Sequence, residues 1–337
     1  MSLTPLTERA EIKRASDLLF GNLTRHCERL VRTVGWKGGR EKYPVYWNPR
    51  LRFWSLRRLD RKHGRYWCCF GTTDAKTHSV FSITAQINQN VEGFDRSVGG
   101  ALVRDDQGRV YVAHSGKIGG GRPGIGKSGF VAGYRGKNWH TVIWPDMKET
   151  EMIVIGRVDG ARIQDHIAHF VGEIRRFKKS AVAGTGQVDL RKRKPTFNPE
   201  FLGRRKAYKT QSEIESQCDH GVVISALADE LTKRGFAVAN DVHRDLYIPS
   251  SKDQMRVLFE AKTDQSTSSI YGAVGQLMLH AAPQAKKPRQ VFVAPGMPKR
   301  PTMLALNKLR IEVLAYKWGG SRPHFLNLTR LFRPGTK

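Results

Sequence analysis

Cysteine is scarce in this chain of 337 residues: Cys27, Cys68, Cys69 and Cys218, with no C-x-x-C pair and no even spacing. That usage excludes a disulfide scaffold and fits reduced thiols in a cytosolic protein. His26 beside Cys27 and His63 near Cys68 and Cys69 are too few and too scattered to make a zinc site on their own. Long apolar runs are missing as well. None approaches the ~20 residues of a membrane-spanning helix, and Glu8, Glu11 and Lys13 interrupt the segment where a secretion signal would need an apolar core. Without secretion, the sequons at Asn22 and Asn327 carry no meaning. Acid is in short supply, with 30 Asp+Glu against 58 Lys+Arg, a net charge of +28. Such a surplus repels itself unless it meets a polyanion, so nucleic acid is the first expected partner and an anionic membrane surface the second. The expected location is the cytoplasm.

Hydrophobic residues at 39% are ordinary for a globular protein and exclude disorder throughout. At roughly 150 residues per domain the length predicts about two domains. Residues 8 to 33 are expected to be helical, with Ile12, Leu18, Leu19, Leu23, Leu30 and Val31 at near-helical spacing, ended by Gly35, Gly38 and Gly39. Short alternating runs then predict strands at 66–70, 80–87, 101–104, 110–113 and 152–155, with a hairpin turn at Asp105-Asp106-Gln107-Gly108 and a closing helix over 163–177. From Arg175 to Lys209 three basic clusters flank a soft stretch, which reads as a tether able to contact phosphates. Beyond it helices are expected at 211–233, 270–281 and 303–309. Strands are expected at 236–239, 246–248, 257–261, 290–293 and 311–316, an alternation that predicts an α/β domain with a mixed central sheet flanked by helices. The divisions are a helical segment 1–34, an α+β or mainly β domain 35–178 expected to recognise DNA, a basic linker 179–204, a domain 205–320 and a basic tail 321–337.

Asp245 lies in His243-Arg-Asp-Leu-Tyr-Ile248, and the following strand ends Leu258-Phe-Glu-Ala-Lys262. Strand side chains alternate, so Leu258, Glu260 and Lys262 share one face. A hairpin with Ile248 opposite Met255 would put Asp245 opposite Leu258 and diagonal to Glu260. Two carboxylates and an ammonium then meet at one sheet edge. Carboxylates suit Mg²⁺, which takes few protein ligands and keeps waters. A lysine beside them can position an attacking water or meet developing negative charge.

In these features the chain resembles the PD-(D/E)xK nuclease superfamily. The matching pieces are a helix, the strand bearing Asp245, the strand bearing Glu260 and Lys262, the helix Ile270-Tyr-Gly-Ala-Val-Gly-Gln276, and the later strand, helix and strand over about residues 205–318. Arg244 stands where a literal motif has proline. The resemblance implies a restriction-endonuclease-like α/β fold. It also implies Asp245 and Glu260 as ligands of Mg²⁺ (or Mn²⁺), Lys262 as catalytic lysine, and Gln276 at the edge of the site. Relatives often add an acid on the first helix; Glu213, seven residues before His220 and on its face, is preferred to Glu215, and Asp241 is a weaker substitute for Asp245.

Gly121-Arg-Pro-Gly-Ile-Gly126-Lys127-Ser128 fits the phosphate-binding pattern GxxxxGK[ST], but the glycines that follow argue against the helix the pattern requires. The loop's Lys117, Arg122, Lys127, Arg135 and Lys137 are instead expected to touch DNA phosphates, together with Arg50 and Arg52 from an aromatic stretch (Tyr43, Tyr46, Trp47, Phe53, Trp54, Trp67). Those aromatics serve equally well as the domain's core. The combined expectation is a Mg²⁺-dependent DNA endonuclease of restriction or defence type. A repair nuclease and a non-catalytic nucleic-acid-binding protein with a degenerate nuclease fold are the alternatives. Double-strand cutting with one site per chain favours a homodimer.

Overall fold

The computed structural model describes residues 3–36, 38–119, 125–134, 136, 138–182, 211–241, 243–250, 254–320 and 322–332. The fold is mixed α/β and divides into two compact units. One comprises residues 1–134, 138–188 and 207–215, the other 135–137, 189–206 and 216–337.

The first unit opens with a helix over Arg9–Thr24 that buries Ile12, Ala15, Ser16, Leu19 and Leu23, one face at helical spacing. The helix is shorter than expected. The β-branched Val31, Thr33 and Val34 favour a pleated conformation, and Glu28–Trp36 is a strand paired with Gly39–Asn48 in register from Glu28↔Trp47 to Trp36↔Gly39. Gly38, at φ +99°, sits in the turn between the arms. These strands belong to a seven-stranded sheet with 53–60, 65–71 and the short strands 80–82, 85–86 and 89–90. A five-stranded antiparallel sheet holds 4–5, 100–104, 110–114, 149–157 and 139–143. Its 100–104/110–114 hairpin turns where Gly108 has φ +79° and the Asp105 carboxylate accepts the N–H groups of Gln107 and Arg109.

The basic linker begins later than expected at its N-terminal end, because the helix Ile163–Val182 carries the chain through 179–182; residues 183–210 lie outside the described residues. The helix thought unfavourable after Gly126 forms over Lys127–Gly133, seven residues long. Packing rather than propensity explains it: Phe130 is fully buried with its ring 5.5–6.2 Å from those of Tyr134, Phe170 and Phe177.

In the second unit, α1 (Gln211–Lys233), which belongs to it from residue 216 onward, precedes a five-stranded sheet of β1 (Leu246–Pro249), β2 (Met255–Ala261), β3 (Arg289–Pro295), β4 (Ile311–Gly319) and β5 (Arg322–Phe325) in that spatial order. The connections β2-α2-β3 and β3-α3-β4 run through α2 (Thr267–Ala281) and α3 (Arg300–Lys308), so β2, β3 and β4 are parallel, while β1 and β5 are antiparallel edges. Strand β2 is buried on both faces. Val257, Phe259 and Ala261 pack with Ile224, Leu227 and Leu231 of α1, whereas Leu258 packs with Ala273 and Leu277 of α2 and Leu306 of α3. The strand expected at 236–239 reduces to one bridge, Ala239 with Tyr247. The expected tail is partly core: β5 pairs with β4, a short helix covers Leu328–Leu331, and Phe332 lies 5.5 Å from the Phe259 ring and 5.8 Å from that of Phe236.

Two stability predictions follow from buried groups. Phe332→Ala should cost about 3 kcal/mol in urea unfolding, as a buried aromatic does; a loss below about 0.5 kcal/mol would mark a solvated tail. In the first unit His114 Nδ1 accepts the Gly116 N–H at 3.0 Å and Nε2 faces the Gln86 carbonyl at 3.2 Å, which suits the neutral ring with its hydrogen on Nε2. Burial pushes its pKa down from 6.5 to about 4. The folded state therefore binds fewer protons, and the stability this histidine confers is present above pH 6.5 and lost as pH falls through 4. The unfolding free-energy difference between wild type and His114→Gln should shrink by about 3 kcal/mol over that interval; a constant difference would contradict the assignment.

Candidate active site

Pairing in the β1/β2 hairpin sets the site. Leu246 lies opposite Phe259, Tyr247 opposite Leu258 and Ile248 opposite Val257, with an irregularity between Ile248 and Pro249. Ile248 therefore faces Val257 and not Met255, a slide of two positions from the simplest hairpin. The pairing resumes at Pro249↔Met255, which leaves Arg256 as the extra residue of a bulge in β2 beside a proline that has no N–H to give the ladder. Continuing the register brings Asp245 directly opposite Glu260 instead of diagonal to it.

Both carboxylates are buried, each 2% exposed. The Ala261 N–H donates to Asp245 Oδ2 at 2.8 Å, which fastens the aspartate to the end of β2. Glu260 Oε1 accepts from Lys262 Nζ at 2.6 Å, and the same ammonium donates to Gln276 Oε1 at 2.8 Å. Lys262 thus commits two of its three donors, and its side chain remains 22% exposed. Its backbone is fixed too: Lys262 N–H donates to the Val293 carbonyl at 2.9 Å, and the Tyr316 hydroxyl donates to the Lys262 carbonyl at 3.1 Å. Helix α2 reaches the lysine because Ser266 caps its start and Gln276 follows Gly272 by one turn. A Cβ at Gly272 would stand 3.9 Å from Lys262 Cε.

The fold thus brings together Asp245, Glu260, Lys262 and Gln276. The Glu213 side chain lies outside the described residues, and Glu215 pairs with Arg157 at 2.8 Å. Asp241 is engaged by Arg244 and accepts the backbone N–H groups of His243 and Arg244, so it shapes the turn before β1. His220 was not anticipated as a site residue: its Nε2 stands 3.4 Å from Asp245 Oδ2, and it is buried. The signal was present, since His220 continues the buried stripe Ile224, Leu227, Leu231 one turn toward the start of α1. Tyr316 carried no comparable signal, because its role depends on β4 lying two strands from β2.

Among the described residues no group of three or more His, Cys, Asp and Glu side chains gathers as a metal site. The buried pair Asp245 and Glu260 nevertheless suits Mg²⁺, whose coordination needs one or two carboxylates and otherwise keeps water.

The cations expected to touch DNA are differently placed. Arg50 forms a two-pronged pair with Asp165 at 2.9 Å and Arg52 pairs with Asp74 at 2.8 Å, so both are occupied within the first unit. Lys117 donates to the Ser97 carbonyl at 2.7 Å, Lys127 is exposed, and Arg122, Arg135 and Lys137 lie outside the described residues. Tyr43, Trp47, Phe53 and Trp54 are core residues, each at most 8% exposed. Comparison with known proteins yields no match to the chain from any family model, curated protein or solved structure.

The Glu260–Lys262 pair can be tested apart from any activity. Lys262→Met leaves Glu260 buried without its cation and should cost about 3 kcal/mol or more, while the double variant with Glu260→Gln should recover most of that loss in urea unfolding. Simple additivity of the two changes would show that the pair is not coupled.

Proposed function

We propose that the chain is a Mg²⁺-dependent DNA endonuclease of PD-(D/E)xK type, with a restriction-endonuclease-like second unit and a first unit that engages DNA. The observation that carries the reading is the convergence of Asp245, Glu260, Lys262 and Gln276 at the end of one buried strand. The order helix, bridge at Ala239, β1, β2, α2, β3 supports it, as does a mixed sheet with parallel strands after the Glu-x-Lys segment. The net charge of +28 supports a polyanionic substrate.

Asp245 and Glu260 would hold the cation, which when bound polarises the scissile phosphate and lowers the pKa of a water it holds. The rest falls to the protein. The third N–H of Lys262 can donate to the attacking water or to a phosphoryl oxygen as negative charge grows. Gln276 and Glu260 keep the ammonium aimed, and the Ala261 N–H keeps the Asp245 carboxylate from rotating. Water attack forms one P–O bond as the bond to the leaving sugar oxygen breaks. The architecture of a cutting unit with an added DNA-engaging unit fits a prokaryotic restriction or defence enzyme acting in the cytoplasm, and cutting of both strands calls for two chains.

Plasmid DNA incubated with the full chain and Mg²⁺ tests this. Nicking or linearisation is expected with wild type, with a loss of at least about a hundredfold in Asp245→Asn, Glu260→Gln and Lys262→Ala. Undiminished cutting by these variants would overturn the site, and retarded but uncut DNA would favour a binding protein with a degenerate nuclease fold. Parallel assays on unmodified, methylated and hydroxymethylated DNA read out the recognition role.

A further inference from the structure

The proposed chemistry leaves unused a groove of about 390 Å³ between α2 and α3. Its walls are Tyr271, Val274, Ala305 and Leu309, and Thr267 and Thr302 bring hydroxyls to its lining. The groove and the site flank α2 on different sides: Gly272 and Gln276 address Lys262 from one side of the helix, and Thr267, Tyr271 and Val274 line the groove from the other. Tyr271 is 72% exposed, an unusual position for a large ring without a partner surface. The surrounding charge has one sign. Helix α2 contains no Asp, Glu, Lys or Arg, and Lys299, Arg300, Lys308 and Arg310, on and beside α3, are exposed and form no ion pair among the described residues. An apolar slot with a ring at its mouth, hydroxyls inside and cations outside is complementary to a nucleobase carried on a phosphate backbone. A basic rim of this kind is a poor match for a second copy of a chain at +28.

We infer that the α2/α3 groove is a nucleobase-binding site that takes an unpaired base of a DNA strand, with Tyr271 as its stacking surface; this rests on the nuclease reading above. Binding is measured with the full chain in chelator, by fluorescence anisotropy of a labelled single-stranded oligonucleotide and of its duplex. Tyr271→Ala should weaken single-strand binding about tenfold, Tyr271→Phe should keep it, and duplex affinity should change less than twofold in both. Its exposure makes Tyr271 a safe position for truncation, and unchanged thermal unfolding verifies that. Unchanged single-strand affinity in Tyr271→Ala, equal losses for both forms of DNA, or a drop in oligomeric mass in place of a binding defect would each overturn the inference. If wild type binds neither form of DNA, the nuclease reading falls with it, whereas wild-type binding that is indifferent to Tyr271 overturns the groove alone.

Discussion

A carboxylate at the end of an apolar strand remains ionised only if a cation or donated hydrogen bonds replace the water it has lost. Strand β2 meets that condition with its own next-but-one residue, since alternation puts Lys262 on the face of Glu260. Much of the second unit can be understood from this demand. The parallel neighbour β3 fixes the lysine backbone, β4 sends Tyr316 to its carbonyl, and α2 supplies the amide that shares the ammonium. Asp245 depends on the same strand end through the Ala261 N–H.

The first unit solves its polar burial differently. Arginine and aspartate are paired across long sequence separations, as in Arg50 with Asp165, and His114 is held neutral between a donor and an acceptor. Arg50, Arg52, Arg57 and Arg58 near the aromatic stretch are paired in this way or lie over rings, Arg57 being 5.0 Å from the Phe20 ring and 5.4 Å from that of Tyr66. The cations around α3, by contrast, are exposed and form no ion pair among the described residues.

Local pattern made the second unit largely legible. Alternation in Leu258-Phe-Glu-Ala-Lys262 puts Glu260 and Lys262 on one face, and the helix expected over 270–281 forms with one further turn at its start, Thr267–Ala281. What stayed hidden depends on distant partners or on competition between propensities. Residues 28–33 carry apolar residues at spacings that suit a helix, yet their β-branched side chains gain more by pairing with 39–48. The short helix after Gly126 exists because Phe130 finds a core, and Phe332 looks like tail until Phe236 and Phe259 surround it. His220 could have been read from the α1 stripe, but its distance to Asp245 could not.

The irregularity between Ile248 and Pro249 also bears on how such a site can diverge. Pairing along a hairpin has a period of two, so changes in its register are sorted by parity. A displacement by an even number of residues, like the one between Ile248–Met255 and Ile248–Val257 pairing, leaves Asp245 and Glu260 on a common side. An odd displacement separates them at a stroke. Insertions and deletions near this turn are consequently filtered by arithmetic before side-chain chemistry matters, and a lineage can remodel the hairpin in double steps while its acidic pair persists.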